Sequence, residues 1–357
     1  MSASHIVVGE GRTNCSRLAN SFARIGIPSI GFRADKLSVH VFRNREEMGR
    51  AAAFAFEQQV QRVVDRHGAF RGIFAAAPSQ NDVYASLIQS GTFPWQAAEG
   101  LFMMDEYTKL SPTDPRSFRY YHNTKLWGPL LSLGRALDPQ KIFQLYGEAQ
   151  PEAECLRYAG LLAAGKAPVV VEGGFGEINA HIAFNDPPEA DFGDPFLVKL
   201  IELAIEAKQQ QVNEGHYASV EELPDALTLT VPALTRNPFY TVNYWSSVVP
   251  TENKASGVFA ALFSPVSAAI PGTALRSSMV GSASLFLDLA SSYLVREELS
   301  RLDFLDFSSL ERTPSPARQE PAPHDPIEGL GGSEDGMEPL SERKGGTGEQ
   351  LRGRDMG

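Results

Sequence analysis

The sequence predicts an α/β protein built on a largely parallel β-sheet. Short apolar runs alternate with helical patterns from residue 37 onwards, and three of the runs end in polar or glycine-rich loops. This alternation is typical of parallel sheets covered by helices on both faces, so we expect a three-layer α/β/α arrangement with a Rossmann-like sheet. The runs predicted to be strands are residues 37–42, 72–76, 101–104, 169–171, 227–231 and 241–245.

Two helices are predicted after the first two of these strands. Residues 45–67 place apolar side chains at spacings near three and four, as one face of a helix requires. Residues 83–89 form a second, shorter helical pattern. Before residue 37, the segments 6–8 and 27–30 are either short strands or an arm laid over the domain.

Three regions are predicted along the chain: an N-terminal extension (1–36), a main domain (37–310) and a C-terminal tail (311–357). The tail is rich in Pro and Gly and almost lacks large apolar residues. Such a segment buries too little apolar surface to offset the entropy of ordering it. We therefore expect the tail to be disordered.

Composition limits the class of partner. The chain of 357 residues has a net charge of −11, which argues against nucleic acid or an anionic membrane as the main partner. Only Cys15 and Cys155 occur, so no disulfide framework is indicated. No apolar run approaches the ~20 residues of a membrane span, and the N-terminus lacks a signal-peptide pattern. We expect a cytoplasmic protein.

Polar clusters follow three predicted strands: residues 78–82, 105–107 and 173–186. Ligands of open α/β sheets bind at the carboxyl ends of the strands, so these loops are expected to converge. Asp105 is a candidate base or a helix-capping carboxylate. His181, oriented by Asp186, is a candidate proton carrier or a hydrogen-bonded structural histidine. Ser79 is a candidate phosphate ligand or an N-cap, and Lys254 a phosphate ligand or a solvated lysine.

The order of these residues resembles the glucosamine-6-phosphate deaminase/isomerase family, whose sheet type is shared with ribose-5-phosphate isomerases and CoA transferases. The resemblance extends from residue 37 to residue 288. The segments that carry it are MDEY (104–107), SF (117–118), HIAFNDP (181–187), ALTLTV (226–231) and NKA (253–255).

The resemblance implies a reaction and a set of site residues. Glucosamine 6-phosphate and water would give fructose 6-phosphate and ammonia, with no cofactor and no metal. Asp105 would move a proton between C2 and C1, His181 with Asp186 would assist ring opening, and Lys254 and Ser79 would bind the phosphate. Further predicted site residues are Asn179 in the catalytic group and Gln80, Glu106, Gly174 and Gly176 in substrate binding. The partner is a small sugar phosphate, and assembly into a homo-oligomer is left open.

The chain departs from the family pattern in two loops. Asn179 stands where the deaminases usually have aspartate, Ala180 replaces a glycine, and residues 176–179 are one residue longer. AAAPSQ (75–80) replaces a TGGTP-like phosphate loop. Two alternatives follow: an active amino-sugar phosphate deaminase/isomerase, or a catalytically impaired homologue that binds a sugar phosphate or a protein partner.

Overall fold

The structure is a computed structural model that describes residues 6–7, 14–177, 179–203, 205, 208–209, 212 and 217–312. Apart from residues 311 and 312, the predicted tail lies outside the described residues. The strands are β1 (Ile6–Val7), β2 (Ile30–Ala34), β3 (Leu37–Phe42), β4 (Phe70–Phe74), β5 (Ala98–Met103), β6 (Asp105–Tyr107), β7 (Ile142–Phe143), β8 (Val169–Gly173), β9 (Val198–Ile201), β10 (Ala226–Leu229), β11 (Val242–Val249) and β12 (Ser282–Asp288). The α-helices are α1 (Asn14–Arg24), α2 (Arg45–His67), α3 (Asn81–Gln89), α4 (Phe118–His122), α5 (Gly128–Ser132), α6 (Pro151–Ala164), α7 (Val231–Leu234), α8 (Ala255–Phe263), α9 (Tyr293–Arg301) and α10 (Ser308–Arg312).

The main sheet confirms the predicted α/β class. Within the described residues its strand order is β1-β2-β3-β12-β11-β8-β4-β5-β7. Across the sheet in this order, every neighbouring pair of strands between β3 and β7 is parallel. Both faces of the sheet are covered: the buried side chains of the central strands alternate between two apolar clusters. Val171 and Trp245 belong to one cluster, and Val170 and Tyr244 to the other.

The residues before position 37 form an edge of this sheet. Strand β2 pairs antiparallel with β3, from Ala34 opposite Leu37 to Ile30 opposite Val41, and β1 pairs antiparallel with β2. Segment 6–8 contains β1, whereas β2 overlaps the predicted segment 27–30 only at Ile30. The sheet therefore continues across the predicted boundary at residue 36.

Helix α2 has the predicted bounds, and its ends follow from local chemistry. The Asn44 side chain accepts a hydrogen bond from the backbone N–H of Glu47 at 2.8 Å, which caps the first turn. The helix ends before Gly68, whose φ of 80° lies in the left-handed region that glycine adopts without strain. Buried residues such as Met48, Phe56 and Val60 face the sheet.

One predicted strand lies outside the main sheet. Residues 227–231 were expected in the parallel sheet, but β10 pairs antiparallel with β6 and β9 in a second sheet of three strands. Only Met104 separates β5 from β6, and the chain leaves the main sheet there. This change of sheet holds Asp105 in a strand at the edge of the cavity described below.

No helix among the described residues is long and apolar enough to cross a membrane.

Candidate active site

A cavity of about 500 Å³ lies at the carboxyl ends of the parallel strands. The loops after β4, β5, β8 and β11 contribute to its wall, as does the start of α2. The predicted convergence of three polar loops is thus confirmed, and the loop after β11 joins them. Of the predicted site residues, those that line the cavity are Ser79, Gln80, Asp105, Gly174, Gly176, His181, Asp186 and Lys254.

His181 and Asp186 form a hydrogen-bonded pair in the wall of the cavity. His181 Nδ1 lies 2.9 Å from Asp186 Oδ1, with 27% and 14% of the two side chains exposed. Burial acts to raise the pKa of Asp186, but the hydrogen bonds from His181 and Asn179 outweigh it and lower that pKa. An ionised Asp186 holds the proton on Nδ1, so Nε2 is left as the ring's hydrogen-bond acceptor.

Asn179 lies behind this pair and does not line the cavity. Its Nδ2 donates to Asp186 Oδ1 at 2.9 Å, and its Oδ1 accepts from the His181 backbone N–H at 3.1 Å. The amide therefore positions both members of the pair. Asn179 was predicted among the catalytic residues, but its contacts are those of a residue that positions His181 and Asp186.

The loop backbone beneath His181 leaves no room for a side chain at Gly176. A Cβ there would lie 2.0 Å from His181 Cε1.

Ala180 is fully buried. Its φ of 53° is the left-handed conformation that glycine takes more readily than alanine. The replacement of glycine by Ala180 is thus accommodated with the backbone conformation that glycine favours.

Asp105 begins strand β6 and faces the cavity with 8% of its surface exposed. Burial, reinforced by the negative charge of Glu106, raises the pKa of Asp105 well above its usual range. A carboxylate with a raised pKa is a stronger base than a solvated one. This environment suits a group that removes and returns a proton.

Glu106 differs from its predicted substrate-binding role, because it does not line the cavity. Side chains alternate along a strand, so Glu106 points away from the face that carries Asp105. Its fully buried carboxylate accepts hydrogen bonds from the Ser117 hydroxyl at 2.7 Å and from the backbone N–H groups of Phe118 and Arg119 at 3.0 and 2.9 Å. It also pairs with Arg119 Nε at 3.2 Å. Glu106 is therefore an anchor for the start of α4.

Three further residues of the cavity wall are suited to an anion. Ser79 lies in the turn before α3, where backbone N–H groups point out of the helix start. Gln80 Nε2 donates to Ser79 Oγ at 2.9 Å. Lys254 precedes α8 and lines the same cavity.

Arg45 lines the cavity as well and was missed by sequence reasoning. It pairs with Asp82 and donates to the carbonyl of Pro78. Its place directly after a strand end was the available signal, but helical periodicity assigned it only to the start of α2. Aromatic residues form another wall that was not predicted: Tyr107, Phe118, Phe184 and Tyr217, with ring centroids 5.1 to 6.0 Å apart.

The described residues contain no group of three or more His, Cys, Asp or Glu side chains placed to hold a metal ion.

Comparisons with known proteins agree with this geometry. No protein-family model matches the chain. The chain is 26% identical over 250 residues to a glucosamine-6-phosphate deaminase of Bacillus velezensis, which covers 68% of this chain and 93% of that protein. It is 27% identical over 241 residues to the deaminase of Clostridium perfringens, covering 66% and 91%. The chain is a distant homologue of the glucosamine-6-phosphate deaminases.

Solved structures show the same fold as this deaminase homologue. A monomeric glucosamine-6-phosphate deaminase of the NagB superfamily superposes with a TM-score of 0.61 at 22% identity, covering 72% of this chain and 99% of that one. A 6-phosphogluconolactonase from Thermotoga maritima gives 0.54 at 14% identity, covering 70% and 98%. The chain thus shares its fold with a glucosamine-6-phosphate deaminase and with a 6-phosphogluconolactonase.

Proposed function

We propose that the protein converts glucosamine 6-phosphate and water to fructose 6-phosphate and ammonia. The observation that carries the proposal is that Asp105 and the His181–Asp186 pair face one cavity with Ser79 and Lys254. Proton carriers and anion-binding groups in the wall of one cavity match a phosphorylated aldose. The curated relatives that carry the deaminase name support the same activity.

The isomerisation needs only proton transfers, and the deamination adds water. His181, with Nδ1 held by Asp186, takes the proton of the C1 hydroxyl on Nε2 and passes it to the ring oxygen, so the bond between C1 and the ring oxygen breaks and the ring opens. Asp105 then removes the proton from C2 and returns it to C1, while the amino group loses one proton and O1 gains one, which converts the amino aldose into its isomeric ketimine. Water adds to C2, the C2–N bond breaks, and ammonia leaves as the ketone forms. Ser79, Gln80 and Lys254 hold the phosphate during these steps.

A catalytically impaired homologue that binds a sugar phosphate or a protein partner is the second candidate. Two observations favour it. Ala180 holds a left-handed φ of 53° in the loop that carries His181, and Glu177 contacts the Lys254 ammonium. A displacement of a reacting group by about 1 Å can cost on the order of 100-fold in rate.

One experiment separates the two candidates. The purified protein is assayed for ammonia and fructose 6-phosphate from glucosamine 6-phosphate, with hydrolysis of 6-phosphogluconolactone measured in parallel. Equal amounts of ammonia and fructose 6-phosphate support the deaminase. Thermal stabilisation by glucosamine 6-phosphate without either product supports the impaired homologue. Lactone hydrolysis alone would overturn the proposal.

A further inference from the structure

The Lys254 ammonium lies beside a carboxylate that belongs to the chain itself. Glu177 Oε1 lies 3.7 Å from Lys254 Nζ, and the two side chains are only 19% and 22% exposed. The same oxygen accepts a hydrogen bond from the side-chain amide of Asn253. All three residues line the cavity. The ammonium that the proposed function assigns to the substrate phosphate therefore already has an anionic partner.

We propose that Glu177 competes with the substrate's phosphate for Lys254 and sets how strongly the site holds an anion. The inference rests on the proposed function only where it identifies that anion as the phosphate of an amino sugar. A phosphate beside Lys254 meets the like charge of Glu177, so the Glu177 side chain has to turn away when the phosphate binds.

The backbone around Glu177 is fixed more firmly than its side chain. A Cβ on Gly257, in α8, would lie 2.4 Å from the Gly176 carbonyl oxygen and 2.5 Å from that of Glu177. The Gly176 N–H donates to the His181 carbonyl at 2.9 Å, which ties this part of the loop to the proton-transfer pair. The exchange of partners thus needs a side-chain rotation and no movement of His181.

Competition of this kind lowers the affinity of the site for every phosphate. Arg45 and Arg116 also line the cavity and are paired with Asp82 and Asp114, so an entering phosphate finds these cations, like Lys254, already beside a carboxylate. Inorganic phosphate meets this obstacle without any compensating contact. A sugar phosphate offsets it through further contacts in the cavity. Glu177 therefore sets a threshold that only a ligand with contacts beyond its phosphate overcomes.

The test compares Glu177→Gln with the wild type by calorimetric titration with inorganic phosphate and with glucosamine 6-phosphate. The attraction between unit charges at about 4 Å is worth about fivefold in affinity even in bulk water, and a phosphate that displaces Glu177 from Lys254 has to overcome it. E177Q is therefore expected to bind both anions at least about fivefold more tightly. The matched control is Glu252→Gln, which removes the same charge from an exposed residue two positions from Lys254. It is expected to change affinity less than twofold, because an exposed charge is screened.

A second variant keeps the proposal testable if E177Q folds poorly, which thermal melting would reveal. Glu177→Asp keeps the charge but withdraws it from Lys254, and is expected to bind phosphate between the wild type and E177Q. Unchanged or weaker binding by E177Q, or an equal gain in E252Q, would overturn the inference. Ammonia release by the wild type is scored separately. Its absence together with tighter anion binding by E177Q would refute the proposed function and leave the inference standing.

Discussion

Glu106 links the stability of the fold to the basicity of Asp105, and Glu106→Gln tests both. Its buried carboxylate accepts hydrogen bonds from Ser117, Phe118 and Arg119 and pairs with the Arg119 guanidinium. Gln offers one acceptor oxygen and an NH₂ group that faces other donors. Breaking a buried ion pair of this kind costs about 3–5 kcal/mol. We expect a loss of about that size in the free energy of unfolding, measured by urea denaturation.

The same substitution is expected to change the pH dependence of turnover. After burial, the charge of Glu106 is the second cause of the raised pKa of Asp105. Without that charge the pKa of Asp105 falls, so the acid limb of kcat/KM moves to lower pH. The matched control is Glu148→Gln. Glu148 binds the same Arg119 but is 47% exposed, so its loss costs at most about 1 kcal/mol and leaves the acid limb in place. An E106Q protein with an unmoved acid limb and a stability loss below about 1 kcal/mol would refute the reasoning.

Two further predictions concern strand β8 and the loop that follows it. Gly176→Ala places a Cβ 2.0 Å from His181 Cε1, so kcat is expected to fall about 100-fold; Gly91→Ala, whose Cβ would meet nothing nearer than 3.9 Å, is the control and should leave kcat unchanged. Glu172 is fully buried. Burial raises the pKa of Glu172 far above the usual range. The stability that Glu172 contributes is therefore fully present below pH ~4.3 and is lost as pH rises through the raised pKa. Over that range the free energy of unfolding falls by about 1.4 kcal/mol per pH unit. Glu172→Gln should therefore be more stable than the wild type at pH 8 and gain little at pH 4, as followed by thermal melting; equal melting temperatures at pH 8 would contradict this.

Strand–helix alternation was enough to predict the parallel sheet. Apolar runs such as residues 37–42 and 169–171 fall within β3 and β8. Helix α2 has its predicted bounds because Asn44 caps its start and Gly68 ends it. The three polar loops meet in one cavity because parallel strands end at the same edge. These features depend on local pattern and on sheet geometry, both of which are readable from the sequence.

Features that depend on which face or which sheet a residue joins were not predictable. Residues 227–231 have the pattern of any buried strand, and their place in the second sheet depends on long-range pairing with β6. Glu106 stands next to Asp105 in sequence, yet strand alternation sends it to the opposite face. The contact between Glu177 and Lys254 joins residues 77 positions apart, and no local sequence pattern predicts it.

The most direct test of the account measures the proton transfer assigned to Asp105. Wild-type protein and Asp105→Asn are compared on glucosamine 6-phosphate with hydrogen or deuterium at C2, with fructose 6-phosphate and ammonia as the products measured. If Asp105 removes the C2 proton, the wild type turns over the deuterated substrate more slowly. D105N is expected to lose about 10²–10⁴-fold in kcat, with the fold intact by thermal melting. Equal turnover by the folded D105N variant and the wild type would contradict it.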